Sequence, residues 1–194
     1  MVAVAEPKRA DARRNRARLL AAAEIVLAER GTGAPTEQIA KAAKVGIGTL
    51  FRHFPTKESL LKAVLAERMR RFAEAAGEHA EAEDPGSAFF AFLAQWVEMA
   101  AVKNAYADAL AEVPRVDREV REGVLHSLGI LLTRAQEAGA VRHDVGVREV
   151  IALMVGTSRA AEHLGEDAAL RRRTVEIVFD GLRTRPAPGA GASR

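Results

Sequence analysis

The sequence predicts an all-α protein of about nine helices. Ala, Leu, Glu and Arg dominate its 194 residues, and no run of alternating β-branched residues reaches strand length. Apolar residues instead recur at three- and four-residue spacing between breaks marked by Gly and Pro.

The first helix is expected from near Asp11 to Arg30, because Leu19, Ala23, Val26 and Leu27 line one face and Gly31 follows as a C-terminal stop. Pro35 suits the first turn of a second helix ending near Ala43, and a third spans about Ile47 to His53. Pro55 breaks the chain and Thr56 caps a long fourth helix, Lys57 to about Ala80, in which Leu60, Leu61, Val64, Leu65 and Phe72 keep helical spacing. The acidic stretch Glu81 to Gly86, with Pro85, reads as a linker. Further helical blocks are expected over Ala88 to Ala101, Lys103 to Glu112, Arg118 to Ala138, Val147 to Gly165 and Ala168 to Arg183. They are separated by Pro114, by Gly139 to Gly146 and by Gly165 to Asp167. Residues 1–10 read as a flexible basic arm, and the Pro-, Gly- and Ala-rich residues 186–194 as a disordered tail.

The net charge of +3 is unevenly divided: residues 1–64 hold 12 Lys or Arg against 6 Asp or Glu, and the remainder holds 17 against 20. A basic front on a mildly acidic body suits a front that meets a polyanion. With no cysteine there is no disulfide scaffold, thiolate metal site or cysteine nucleophile, and a reducing cytoplasm is the expected compartment. The longest apolar stretch, Gly86 to Val102, is interrupted by Gln95 and Glu98 and is too short for a bilayer span, so no membrane partner is expected. Residues 1–10 also lack the apolar run of a signal peptide, so the chain reads as soluble and unprocessed.

Pro35 to Lys57, PTEQIAKAAKVGIGTLFRHFPTK, is the informative segment. Its two short helices cannot be stable alone and must pack on each other and on the first helix, making a three-helix module. Ile39, Ala40 and Ala43 are expected inward on one helix, and Leu50, Phe51 and Phe54 on the other. The small Ala40, with Leu50 ten residues on, has the spacing of a helix-turn-helix, whose second helix enters the major groove of duplex DNA.

At these residues the chain resembles the TetR family of bacterial regulators, whose pattern is roughly I-A-x-x-A-G-V-S-x-G-T-L-Y-x-H-F-x-x-K. The match runs through Ile39, Ala40, Ala43, Val45, Gly48, Thr49, Leu50, His53, Phe54 and Lys57, then Glu58, Leu60 and Leu61. Close resemblance covers residues 11 to about 65. Beyond that it is one of helical layout, with LLTRAQEAGAVRHDVGVREVIALMVG similar to the effector domains of actinobacterial members. The resemblance implies a DNA-binding module over 11–62 and an effector-binding and dimerisation domain over 63–185. It further implies a homodimeric repressor that binds a palindromic operator in double-stranded DNA and is released by a small-molecule effector.

Carried over by position, Gly48 and Thr49 approach the DNA backbone or base edges, and His53 and Lys57 hold phosphates. Lys44 stands where the family usually has Gly; in a left-handed backbone it would cost about 1 kcal/mol, offset by a phosphate contact. Phe51 replaces the usual Tyr, so it is expected to pack without a hydrogen bond. Gly46, Ile47, Gly48 and Thr49 form a small, apolar base-reading set, which shifts weight to thymine methyl groups, DNA shape, and Arg52 or Gln38. Arg13, Arg14, Arg16 and Arg18 read as general phosphate attraction.

In the second part, Phe92, Trp96, Met99, Tyr106, His126 and Met154 are candidates to line a ligand cavity, with Arg134 as a further polar orienter; the alternative is ordinary core. The resemblance implies that the last two helices pair with their copies in a second subunit through Ile151, Val155, Leu170, Thr174, Ile177, Val178 and Gly181. Enzyme readings find no residues. Gly46-Ile-Gly48 lacks a third glycine and a preceding strand, HExxH and GxSxG are absent, and the five histidines lack metal-ligand spacing, so no catalytic residue, metal or cofactor is expected. The alternatives are an activator, a regulator answering to a partner protein, or a helical scaffold that uses the motif only for packing.

Overall fold

The computed structural model describes residues 7–107, 109–111, 118–163 and 167–184. It is all-helical apart from one isolated bridge. In chain order the helices are α1 (Pro7–Arg30), α2 (Thr36–Ala42), α3 (Ile47–His53), α4 (Lys57–Glu81), α5 (Pro85–Ala107), α6 (Arg118–Glu137), α7 (Val147–His163) and α8 (Ala168–Leu182). Eight helices among the described residues replace the nine expected. The blocks placed on either side of Val102 are one helix, since Ala101-Val102-Lys103 contains nothing that stops a helix. Nor is the stretch from Glu81 a linker throughout: Asp84 accepts the Ser87 amide at 3.0 Å and Pro85 opens α5, the position at which a missing N–H costs nothing. α1 starts four residues earlier than expected. Residues 1–6 of the arm, Leu164, Pro114 and the tail 186–194 lie outside the described residues.

The chain packs as two compact units, Met1–Arg68 with Lys103–Arg115, and Met69–Val102 with Val116–Arg194. In the first unit α1 packs on α2 and α2 on α3, and Leu19, Ala23, Val26 and Leu27 of α1, Ile39, Ala40 and Ala43 around α2, Leu50 of α3, and Phe54 are all buried. Leu60, Leu61, Val64 and Leu65 of α4 are buried as their spacing predicts. A reciprocal cap starts that helix: the Ser59 amide donates to Thr56 Oγ1 at 3.0 Å and the Thr56 amide to Ser59 Oγ at 3.1 Å. The end of α5 also belongs to this unit. Tyr106 is buried there with its hydroxyl lacking a hydrogen-bond partner among the described residues; burial pushes its pKa up, and the Arg68 charge offsets part of that rise.

The second unit has its own core, centred on Phe89, Phe92 and Leu93 of α5, Leu128 and Leu131 of α6, and Val150 and Met154 of α7. Phe72 stacks on Phe92 at 5.2 Å between ring centroids and meets the edge of Trp96 at 5.9 Å. Arg134 donates to the Ala80 and Ala82 carbonyls at and just beyond the end of α4, which places this cation on a helix C-terminus. It therefore closes α4, where the sequence suggests an orienter of ligand. The loop after α6 is tied down by Gln136, which donates to the Arg142 and Val145 carbonyls at 3.0 and 2.8 Å, and by an antiparallel bridge between Val141 and Arg183. The Arg183 guanidinium lies 4.1 Å over the Phe90 ring.

Candidate nucleic-acid interface

The turn between α2 and α3 decides how α3 is presented. The Val45 amide donates to the Ala40 carbonyl and the Lys44 amide to the Lys41 carbonyl, both at 3.0 Å, the paired closure that ends a helix in a left-handed residue. The same closure ends α6, where Gly139 occupies that position at φ 71°. At the end of α2 the residue is Lys44, at φ 55°, the single non-glycine residue with positive φ among those described. The backbone is thus left-handed where the sequence predicts strain, and the lysine side chain stands exposed at the tip of the turn.

Lys44→Gly is therefore expected to stabilise the first unit by up to about 1 kcal/mol, a rise of a few degrees in Tm, whereas Lys44→Ala should bring no such gain. Thermal melts of both variants check this; equal Tm values for the Gly and Ala variants would remove strain from the account.

Two arginines of α1 hold this turn and α3 in place. Arg18 donates to the Ala43 carbonyl at the end of α2, at 2.7 Å, and the Arg16 guanidinium lies 5.2 Å over the Phe54 ring. Sequence reasoning assigned both only to phosphate attraction. The available signal was register: Arg16 precedes the buried Leu19 and Leu20 by three and four residues, on the face turned to the other helices.

Packing leaves a defined surface. Leu50 and Phe54 are buried, whereas Phe51, expected inward beside them, is 41% exposed. Phe51 is rotated about 100° from Leu50 on α3, off the face that Leu50 buries. Lys44, Gly46, Ile47, Gly48 and Arg52 are exposed, and Gln38, Thr49, His53 and Lys57 half-buried, so every sequence-nominated contact reaches solvent. Side chains built at Gly46 or Gly48 would meet nothing within 4 Å, so the protein leaves open space on both sides of Ile47.

The other nominated sets fall on defined places. Phe92 and Met154 are fully buried in the second core, Trp96 and Met99 are half-buried, and His126 is exposed on α6. Tyr106 belongs to the first unit and the other five to the second. On α7 and α8, which pack together, Val155, Leu170, Ile177 and Gly181 are exposed and Ile151, Thr174 and Val178 half-buried. α7 is therefore divided: Val150, Met154 and Ala161 face inward, while Leu153 and Val155 face out. Among the described residues no group of His, Asp and Glu could hold a metal ion, and no helix is long and apolar enough to cross a membrane.

Comparison with known proteins gives two matches along the chain. Residues 19–64 match the family described as "Bacterial regulatory proteins, tetR family", and residues 84–184 match "Transcriptional regulator SbtR-like, C-terminal domain". Among solved structures, the chain is similar to a TetR transcription regulatory protein from Mycobacterium vanbaalenii at 40% identity and a TM-score of 0.68, covering 91% of this chain and 99% of that one. It is similar to the TetR transcriptional regulator SCO0520 from Streptomyces coelicolor at 30% identity and a TM-score of 0.70, covering 88% and 99%. E. coli NemR in its reduced form, at 18% identity and a TM-score of 0.64 over 89% and 99%, shares the fold. No curated protein sequence matches the chain.

Proposed function

This chain belongs to the TetR family of bacterial transcriptional regulators, DNA-binding factors that are not enzymes, and from that premise we propose that it is a homodimeric repressor released from its operator by a small-molecule ligand. The observation that carries this reading is the set of cations around the open face of α3, Lys44 and Arg52 exposed and Lys57 half-buried, in the basic front of the chain. Two copies of α3 related by a two-fold axis read successive major grooves about 34 Å apart, so the operator is a near-palindrome. The apolar positions of α7 and α8 that remain in water pair with their copies in the second subunit, and Trp96 and Met99 supply half-buried apolar surface for a ligand in the second unit. A ligand that fits better when the two reading heads are misaligned shifts the population away from DNA, with α4, which has turns in both units, carrying the change. The cytoplasm is the compartment for such a regulator.

The test is binding of the purified protein to DNA upstream of its own gene at two salt concentrations. Lys57→Ala is expected to weaken binding to all sequences about equally and to lower the salt slope by roughly 0.9, one phosphate contact. His53→Ala should weaken binding in the same sequence-independent way. Unchanged salt slopes in both variants would sink the phosphate assignments, and no sequence preference at either salt concentration would sink the repressor.

A further inference from the structure

α3 carries two large apolar side chains on the surface that faces solvent. Ile47 is 39% exposed and Phe51 41%, four residues apart and so one above the other on a single face. Among the described residues this face stays open in part: the inner side of α3 carries the buried Leu50, and side chains built at the glycines flanking Ile47 would meet nothing within 4 Å. The exposed cations Lys44 and Arg52 bracket the pair along the chain, in a front that carries 12 Lys or Arg against 6 Asp or Glu. A partner that meets the pair must therefore be anionic at its rim and apolar in the middle. The major groove offers that arrangement where phosphates border the 5-methyl group of thymine, the one apolar feature on its floor.

We infer that Ile47 and Phe51 are specificity-determining residues that read thymine 5-methyl groups in each half-site. This rests on the reading of α3 as the helix that enters the groove. Side chains four apart on a helix lie about 5–6 Å from each other, and base pairs about 3.4 Å, so the two methyl groups belong to positions one or two steps apart. A hydroxyl-free Phe51 fits this task because it brings no donor that needs a partner in the groove. The same chemistry accepts 5-methylcytosine, whose methyl group occupies the same place.

The experiment uses the full chain and a duplex it selects from a random-sequence pool. Each thymine is replaced in turn by deoxyuridine, which removes the methyl group and leaves every base-edge donor and acceptor in place. At two thymines per half-site the replacement is expected to weaken binding roughly fourfold, about the value of burying one methyl group. In Ile47→Ala the loss should vanish at one of them, and in Phe51→Ala at the other; both side chains are exposed, so melting curves should match the parent. If a sequence is selected yet no thymine distinguishes itself from uracil, methyl reading is overturned and DNA recognition by α3 stands. If the losses persist in both variants, the methyl groups are read elsewhere and the inference fails. If no sequence is selected at all, the inference falls together with the operator reading beneath it.

Discussion

A chain carrying both Val155→Asp and Ile177→Asp is expected to sediment as a 20.9 kDa monomer and to lose affinity for a palindromic operator by on the order of a hundredfold or more. In the single chain Val155 is 53% exposed and Ile177 56%, so neither substitution disturbs the core. In the proposed dimer both positions lie between apolar helix faces, and a carboxylate without a partner in such a place costs several kcal/mol. The loss of DNA affinity follows from geometry: two linked reading heads bind at high effective concentration, and separated heads bind as single half-site modules. Sedimentation gives the mass and a gel shift on full and half operators gives the affinity. A variant that stays dimeric would move the interface away from α7 and α8.

Leu50→Ala has the second large expected effect. Leu50 is fully buried in the first unit, and truncating such a leucine costs about 2–5 kcal/mol through lost transfer energy and the cavity left behind. A module this small holds little reserve, so DNA binding should disappear while the mass of the proposed dimer, held through the second unit, is kept. Phe51→Ala provides the contrast: the residue is 41% exposed, and the stability change should stay well below that of Leu50→Ala, at about 0.5 kcal/mol. Urea titrations followed by helicity measure both. Equal destabilisation by the two substitutions would mean that α3 packs through Phe51 as well.

Much of the helical plan was readable before any fold was known, since caps and stops act locally. Thr56 ahead of Lys57, and Gly31 behind Arg30 at φ 72°, fix helix ends by the conformations they allow. The left-handed turn at Lys44 was signalled only by the glycine usual in the family at that position, and the closure of α2 imposes that conformation on the lysine. The break placed at Val102 failed because a change in apolar pattern is not a stop signal; α5 continues to Ala107. The acidic stretch before α5 was misread as linker because the same residues that make a linker, Asp and Pro, also make a helix start.

The sequence alone determined the family, the all-helical class and the position of the helix-turn-helix, since all three rest on periodicity and on a gap-free motif within some twenty residues. Which side chains face where was decided by the tertiary structure. Hydrophobicity gives Phe51 the same claim to the core as Leu50, and only the packing of other helices on one face of α3 buries Leu50 while leaving Phe51 41% exposed. Charge gives Arg16, Arg18 and Arg134 the same claim to an anion, and only the approach of other helices hands them a phenyl ring and carbonyl groups. Tyr106 reads like its aromatic neighbours on α5, yet the end of that helix returns to the first unit. In each case the residue type fixes what a side chain can bind, and contacts between residues distant in the chain fix what it meets.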